Sequence, residues 1–369
     1  MLSRFLCIFL YFAVAPIKGA FRGFNGLSQT PAMGWNTWNA FECNINESLI
    51  MQTADRIIAN GLDKLGYTYL NIDDCWQWEG GRDADDLLVA DPEKFPSGIA
   101  ALSNYVHNLG LKIGIYSDAG KFTCAGFPGS YGYEDKDAQL FASWGIDYLK
   151  YDNCYAAGHE GSLELSYERF KRMSDAILET KRPIVFSICN WGQDRSWFDR
   201  DDDRCPCDSI LDCKLPGLKC SAAKIIEFAA QVSAVSAGPG RWMDMDMLEV
   251  GNGGMTTEEY RTHFTFWCAL KSPLILGNDL RSEISQETRV IITNPNLIAI
   301  NQDPLGKPVM RRFKRKDGMQ VWAGEISGGF VVIIYNRDTQ PHDISVPFEE
   351  IFLDDLETNW HKGKTLEEY

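Results

Sequence analysis

The chain has 369 residues, 45% of them hydrophobic, enough for one large core and a small appendage. Its formal net charge is −15, from 51 acidic against 36 basic side chains. That surplus of acid disfavours nucleic acid and anionic membranes as partners and says little about a neutral ligand.

Arg4 precedes an apolar run from Phe5 to Ala15, and the small residues Gly19 and Ala20 follow. This is the layout of a secretory signal over residues 1–20, and the run is too short to span a bilayer. A secreted, extracellular protein without membrane association is expected. There are 11 cysteines, and the ten beyond Cys7 suit an oxidising compartment. Cys205-Pro206-Cys207, Cys213 and Cys220 form a compact cluster with no His nearby, which favours disulfides over zinc. Asn46-Glu47-Ser48 is a sequon, so Asn46 is a glycosylation candidate.

From residue 30, strand patterns alternate with helix patterns. Strands are predicted at Ala32–Phe41, Tyr67–Trp76, Leu111–Gly120, Asp147–Cys154, Pro183–Trp191, Arg241–Val250 and Pro273–Asp279. The intervening helices fall at Glu47–Asn60, Ile99–Leu109, Asp135–Trp144, Ser166–Lys181, Ala222–Ser236 and Glu258–Leu270, and a last one at Gln286–Ile300. Repeated β-then-α units imply a parallel sheet, and this many favour a closed (β/α)8 TIM barrel over residues 21–304. After Asp303 the texture changes to antiparallel strands at Gln320–Ile326 and Gly329–Asn336, with another at Asp343–Val346. Residues 305–369 therefore read as an all-β appendage.

In such a barrel the chemistry gathers at the C-terminal strand ends. Asp73 and Asp74 end the second strand, Tyr116 and Asp118 the third, Lys150 and Asp152 the fourth, Cys189 and Trp191 the fifth, and Asp244 and Asp246 lie on the seventh. Alternation on a strand puts Lys150 and Asp152 on one face, where an ammonium keeps a carboxylate ionised for attack. A lone Asp pair caps turns as often as it binds ligands; five strands with polar groups at one end are harder to assign to capping. Carboxylates with Trp35, Trp38, Trp76 and Trp191 suit a sugar, whose hydroxyls hydrogen-bond to Asp and whose C–H face covers an aromatic ring. Five His in metal-unlike spacing argue against a metal, and no cofactor is expected.

The motifs Thr30-Pro31-Ala32-Met33-Gly34-Trp35-Asn36-Thr37-Trp38-Asn39, Ile72-Asp73-Asp74-Cys75-Trp76, Thr123–Ser130, Lys150–Cys154, Cys189–Gly192, Asp244–Gly251 and Lys271–Leu274 resemble the α-galactosidase (melibiase) family of glycoside hydrolases, in its fungal secreted branch. The resemblance implies a retaining enzyme acting on terminal α-linked galactose, in oligosaccharides such as melibiose. It implies Asp152 as nucleophile. It further implies substrate binding by Trp38, Asp73, Asp74, Tyr116, Lys150, Cys189, Trp191 and Met247, and a barrel followed by an antiparallel β-sandwich. Cys189 and Trp191 resemble the residues that close around the 2-position, which favours galactose over N-acetylgalactosamine. The disulfides it implies are Cys43–Cys75, Cys124–Cys154, Cys205–Cys220 and Cys207–Cys213, with Cys189 and Cys268 free.

The chain also departs from the family. The second carboxyl group of the retaining pair belongs to the sixth strand, and here the stretch between Trp191 and Cys205 is too short for one. The sixth strand reads as deleted or shortened. Arg195-Ser196-Trp197-Phe198-Asp199 keeps Arg and Asp four apart, which makes Asp199 an acid/base candidate, against the plainer reading of one acid in an acidic loop. The sandwich reads as truncated. The alternatives are thus a catalytically impaired galactose binder, a truncated variant, and, less favoured, an α-N-acetylgalactosaminidase. A homo-oligomer is compatible with the sequence, which does not fix the oligomeric state.

Overall fold

The computed structural model describes residues 26–156, 158–191, 221–338 and 340–351. The expected signal segment, Asp199 and the cysteines at 205, 207, 213 and 220 lie outside these residues.

The first strand, β1 (Met33–Asn36), is buried throughout. The predicted strand running on to Phe41 is cut short: the Asn36 side-chain oxygen accepts from the Trp38 N–H at 2.8 Å, and one helical turn, α1 (Trp38–Phe41), follows. Helix α2 (Glu47–Ala59) starts at Asn46, whose side chain caps the Leu49 N–H. There follow β2 (Tyr69–Asn71), α3 (Ile99–Asn108), β3 (Lys112–Asp118), α4 (Glu134–Ser143), β4 (Tyr148–Asp152), α5 (Leu163–Glu179) and β5 (Val185–Ile188). After residues 192–220 come α6 (Ala222–Ser236), α7 (Thr257–Ala269) and β6 (Leu274–Leu276).

These strands form one six-stranded parallel sheet in the order β5-β4-β3-β2-β1-β6. The first strand of the α/β region thus lies beside its last, so the sheet turns back towards its own start. Ala32, Tyr69, Tyr148 and Ile275 form a small buried patch of their own, with Val185 and Met247 leaning on it. The main core lies between sheet and helices around Trp35, Trp76 and Trp267, all fully buried.

The predicted strand Arg241–Val250 does not form as such. Asp244 Oδ1 accepts from the Asp246 N–H at 2.9 Å and Asp246 Oδ1 from the Met247 N–H at 2.7 Å, which takes these donors out of any ladder. Asp246 has φ +74°, and only Leu248 pairs in parallel with Leu276. The single helix expected at Gln286–Ile300 is two, α8 (Gln286–Ile292) and α9 (Pro295–Asn301). Pro295 cannot continue a helix but suits its first turn, and Asn294 caps that turn.

The appendage is a three-stranded antiparallel sheet of β7 (Met310–Lys314), β8 (Gln320–Ile326) and β9 (Gly329–Tyr335). The expected strand at Asp343–Val346 is absent, and the short helix α10 (Phe348–Ile351) follows. The sheet docks on α6 and α7. Phe266 of α7 packs against Trp322 and Tyr335, ring centroids 5.1 Å away in each case. Glu227 of α6 accepts from Arg311 at 2.6 Å, Lys314 at 3.0 Å, Gln320 at 2.8 Å and Arg337 at 3.1 Å.

Burial alone would raise the Glu227 carboxyl, but these donors hold it down at about 2. A depressed carboxylate stabilises the fold above its unfolded value near 4.5, and that contribution is lost as pH falls towards 2. Glu227→Gln is therefore expected to lower the unfolding free energy by about 1–3 kcal/mol at pH 7. In denaturant titrations the gap from the unsubstituted chain should close as pH falls from about 4.5 towards 2.

Candidate active site

The parallel sheet places its polar residues at one edge. Register pairing sets Tyr116 beside Lys150 and Asp118 beside Asp152, across β3 and β4. Asn36 ends β1, and Asp73 and Asp74 follow β2.

Asp152 is 6% exposed. One oxygen accepts from the Tyr116 hydroxyl at 2.9 Å, the other from the Asn153 N–H at 2.9 Å, and the Cys189 thiol also donates to this carboxylate. Burial pushes the Asp152 carboxyl above its ordinary value, while the Lys150 charge and the bonds from Tyr116 and Cys189 pull it back. Lys150 Nζ donates to Asp73 Oδ2 at 2.7 Å. Burial would lower its pKa, but Asp73, Cys189 and Asp152 around it raise it well above the ordinary value. The ammonium therefore stays charged within a ring of acids.

Asp73 is held from three sides. Asn36 Nδ2 donates to its Oδ2 at 2.7 Å, its own N–H donates to Thr37 Oγ1 at 3.0 Å, and its Oδ1 accepts from the Asp74 N–H at 3.0 Å. Asp74 accepts from the Cys75 N–H at 2.7 Å and the Ala125 N–H at 2.9 Å. Its carboxyl lies above its usual range, chiefly through burial. The Thr123–Ser130 motif thus acts partly through Ala125, which fixes Asp74.

Asp118 does a different job from its neighbours. Its carboxylate accepts from the Gly120 N–H at 2.6 Å and the Cys154 N–H at 2.9 Å, tying the loop after β3 to the loop after β4. The disulfide Cys124–Cys154 joins the same two loops, and Cys43–Cys75 ties the α1–α2 connection to the loop after β2. Asp118 and the sulfurs of Cys124 and Cys154 lie within 4.8 Å of one another, but those sulfurs are bonded to each other and offer no thiolate. Burial pushes the Asp118 carboxyl up to about 8 despite its two backbone donors. At Gly120 an added Cβ would fall 1.9 Å from the Cys154 carbonyl oxygen, so only glycine permits this approach.

Trp38 is half-buried on α1, and Tyr116 is buried. Cys189 is a half-buried free thiol, kept protonated by burial and by Asp152. Trp191 is 46% exposed with φ +57°. Met247 leans on the interior patch of Tyr69 and Tyr148. Asp244 is open to solvent but ringed by protein, and that desolvation together with Asp246 pushes it up to about 6. The sequence reading passed over Asn36 and Thr37 as individual residues and gave Asp118 no role of its own. Asn36 was detectable as the polar end of β1, at the same edge as the acids.

The protein-family model for alpha galactosidase A (Melibiase_2) matches residues 30–303. The α-galactosidase mel1 of Schizosaccharomyces pombe is 43% identical over 378 aligned residues, covering 96% of this chain and 86% of the relative. Among solved structures, α-galactosidase I from Mortierella vinacea superposes with a TM-score of 0.83 at 47% identity, covering 90% of this chain and 88% of that one. The Saccharomyces cerevisiae α-galactosidase crystallised with raffinose gives a TM-score of 0.82 at 41% identity, covering 91% and 80%.

Removing the Asp118 carboxylate leaves the buried Gly120 N–H and the half-buried Cys154 N–H without acceptors. Asp118→Ala is expected to cost about 2–4 kcal/mol of stability in chemical denaturation, a loss that Phe122→Ala in the same loop should not share.

Proposed function

The chain belongs to the α-galactosidase family of glycoside hydrolases, and from that premise we propose that it is a secreted retaining enzyme that releases terminal α-linked galactose through a covalent intermediate on Asp152. The observation that carries the reading is the continuous set of bonds Asn36–Asp73–Lys150 together with Tyr116–Asp152. It places one buried carboxylate, supported by an ammonium and a phenol, next to a carboxylate pair suited to sugar hydroxyls.

In this reading an Asp152 oxygen attacks the anomeric carbon while the bond to the leaving oxygen breaks, and that oxygen takes a proton from an acid. Water, deprotonated by the same group, then displaces Asp152 and restores the α-anomer. Asp73, Asp74, Lys150 and Tyr116 bind galactose hydroxyls, and Trp38 lies against the C–H face of the ring. Cys189 and Trp191 close around the 2-position and disfavour an acetamido group there. Raffinose, the ligand of the yeast relative, and melibiose are the expected substrate types.

The second carboxyl of a retaining pair must stand about 5–5.5 Å from the first. Asp199 is our candidate for it and lies outside the described residues. The parallel sheet, with β1 beside β6, is read as part of a (β/α)8 barrel whose sixth strand is deleted or shortened. The disulfides and the N-terminal apolar segment support secretion. No helix among the described residues is long and apolar enough to cross a membrane. Asn46 is exposed, and its side-chain oxygen caps α2, which leaves the amide nitrogen accessible for a glycan.

A second reading, a galactose binder without turnover, is favoured by one observation. The bonds from Asn36 and Lys150 to Asp73 and from Tyr116 to Asp152 are made between described residues and would serve to bind a sugar whether or not an acid/base partner is present.

Hydrolysis of an aryl α-galactoside, with the first-formed anomer followed by NMR, decides between them. Retained α-galactose supports the enzyme; galactose binding by calorimetry without turnover supports the binder. Asp152→Asn is expected to lower kcat at least about 10⁴-fold. Because the Tyr116 bond lowers the Asp152 pKa, Tyr116→Phe should move the acidic limb of the kcat/KM profile to higher pH.

A further inference from the structure

Two large aromatic side chains stand exposed on neighbouring loops at the edge of the sheet that carries the acids. Phe122, after β3, is 48% exposed, and Tyr155, after β4, is 59% exposed. Their ring centroids are 5.7 Å apart and the planes meet at 80°, so the pair is packed edge to face with ring surface still open to solvent. The loops that hold them are fixed by the Cys124–Cys154 bridge, by Asp118 and by the Ala119 N–H to Asp152 carbonyl bond of 2.9 Å. Ordering such a pair in the open forgoes the burial that would otherwise favour these side chains.

Phe122 also borders a groove of about 440 Å³, within the range of about 300–1,000 Å³ usual for small-ligand sites. Arg82, Asp86, Lys121, Tyr131 and Tyr133 line it too. Its lining is tied together: the Arg82 guanidinium lies 4.0 Å from the Tyr133 ring centroid, holds Asp137 through two bonds of 2.7 Å and donates to the Gly129 carbonyl at 2.8 Å. Tyr131 is held through its hydroxyl at 2.6 Å from His159 Nε2. Lys121 makes no ion pair among the described residues and is free to donate. Neither Asp73, Lys150 nor Asp152 lines the groove. The same loop faces both ways, since Ala125, three residues beyond Phe122, bonds Asp74.

An open aromatic surface with donors and acceptors of both signs suits a neutral polyhydroxylated chain. The mixed walls and the net charge of −15 disfavour a polyanion. We propose that this groove is an accessory carbohydrate-binding site. Phe122 is its stacking platform, and its ligand is a neutral hexose chain of the polysaccharide that bears the scissile galactose. The naming of that polysaccharide rests on the α-galactosidase reading; the site itself does not.

The test is native electrophoresis of the full chain in gels cast with soluble galactomannan, with free galactose added to fill the catalytic pocket. Retardation of the unsubstituted chain should persist under galactose, and Phe122→Ala should weaken it at least about fivefold. Melibiose hydrolysis by Phe122→Ala should stay within about twofold of the unsubstituted chain. Absence of retardation, its abolition by galactose, or equal retardation of the Phe122→Ala chain would each overturn the site. Failure of the α-galactosidase reading shows separately, as no melibiose turnover by a chain that is still retarded.

Discussion

The Lys150–Asp73 ion pair is the contact on which the rest of the site depends. Asp73, Asp74, Asp118 and Asp152 are all buried at one edge of one sheet, and unpaired carboxylates in such a place would take up protons or resist folding. Lys150 is the cation among them, at 2.7 Å from Asp73 and on the same strand as Asp152. Its charge pairs directly with Asp73 and opposes the burial that raises the Asp152 carboxyl. The other acids are managed by backbone donors: Asp74 by Cys75 and Ala125, Asp118 by Gly120 and Cys154. Asp73 is thus held by a charge, whereas Asp74 and Asp118 are held by the amides of the adjoining loops.

Much of the architecture was legible because hydrophobic periodicity is a property of the chain itself. The helix Ala222–Ser236 and the strand Gln320–Ile326 match their predicted bounds. The parallel strands fall inside their predicted ranges, shortened at both ends. What escaped was set by local side-chain bonds or distant partners. Asn36, Asp244 and Asp246 each draw a nearby backbone N–H out of the sheet, a choice that alternation cannot reveal. Strand β7 carries Met310-Arg311-Arg312-Phe313-Lys314, whose basic residues look like a loop until Glu227 on α6 supplies their partner.

The candidate site divides in the same way. Asp73, Asp74, Tyr116, Lys150 and Asp152 could be placed together because strand parity and strand ends are enough to do so. Asp118 has the same parity and the same kind of position, yet its carboxylate turns to the backbone. No spacing rule separates a carboxylate that faces a ligand from one that faces an amide. Only the path of the next loop does, and here a glycine at 120 and a left-handed Tyr155 (φ +47°) set that path.

The Cys124–Cys154 bridge joins the chain segment next to the proposed nucleophile to the loop that fixes Asp74. The geometry around Asp152 and Asp74 is thereby conditional on the redox history of the polypeptide. Made where thiols stay reduced, the same sequence could complete its sheet, whose strands need no sulfur chemistry, and still leave the two loops held by Asp118, the Phe122–Tyr155 ring contact and a few backbone bonds. Fold and competence would then separate, with oxidation as the step that converts the one into the other.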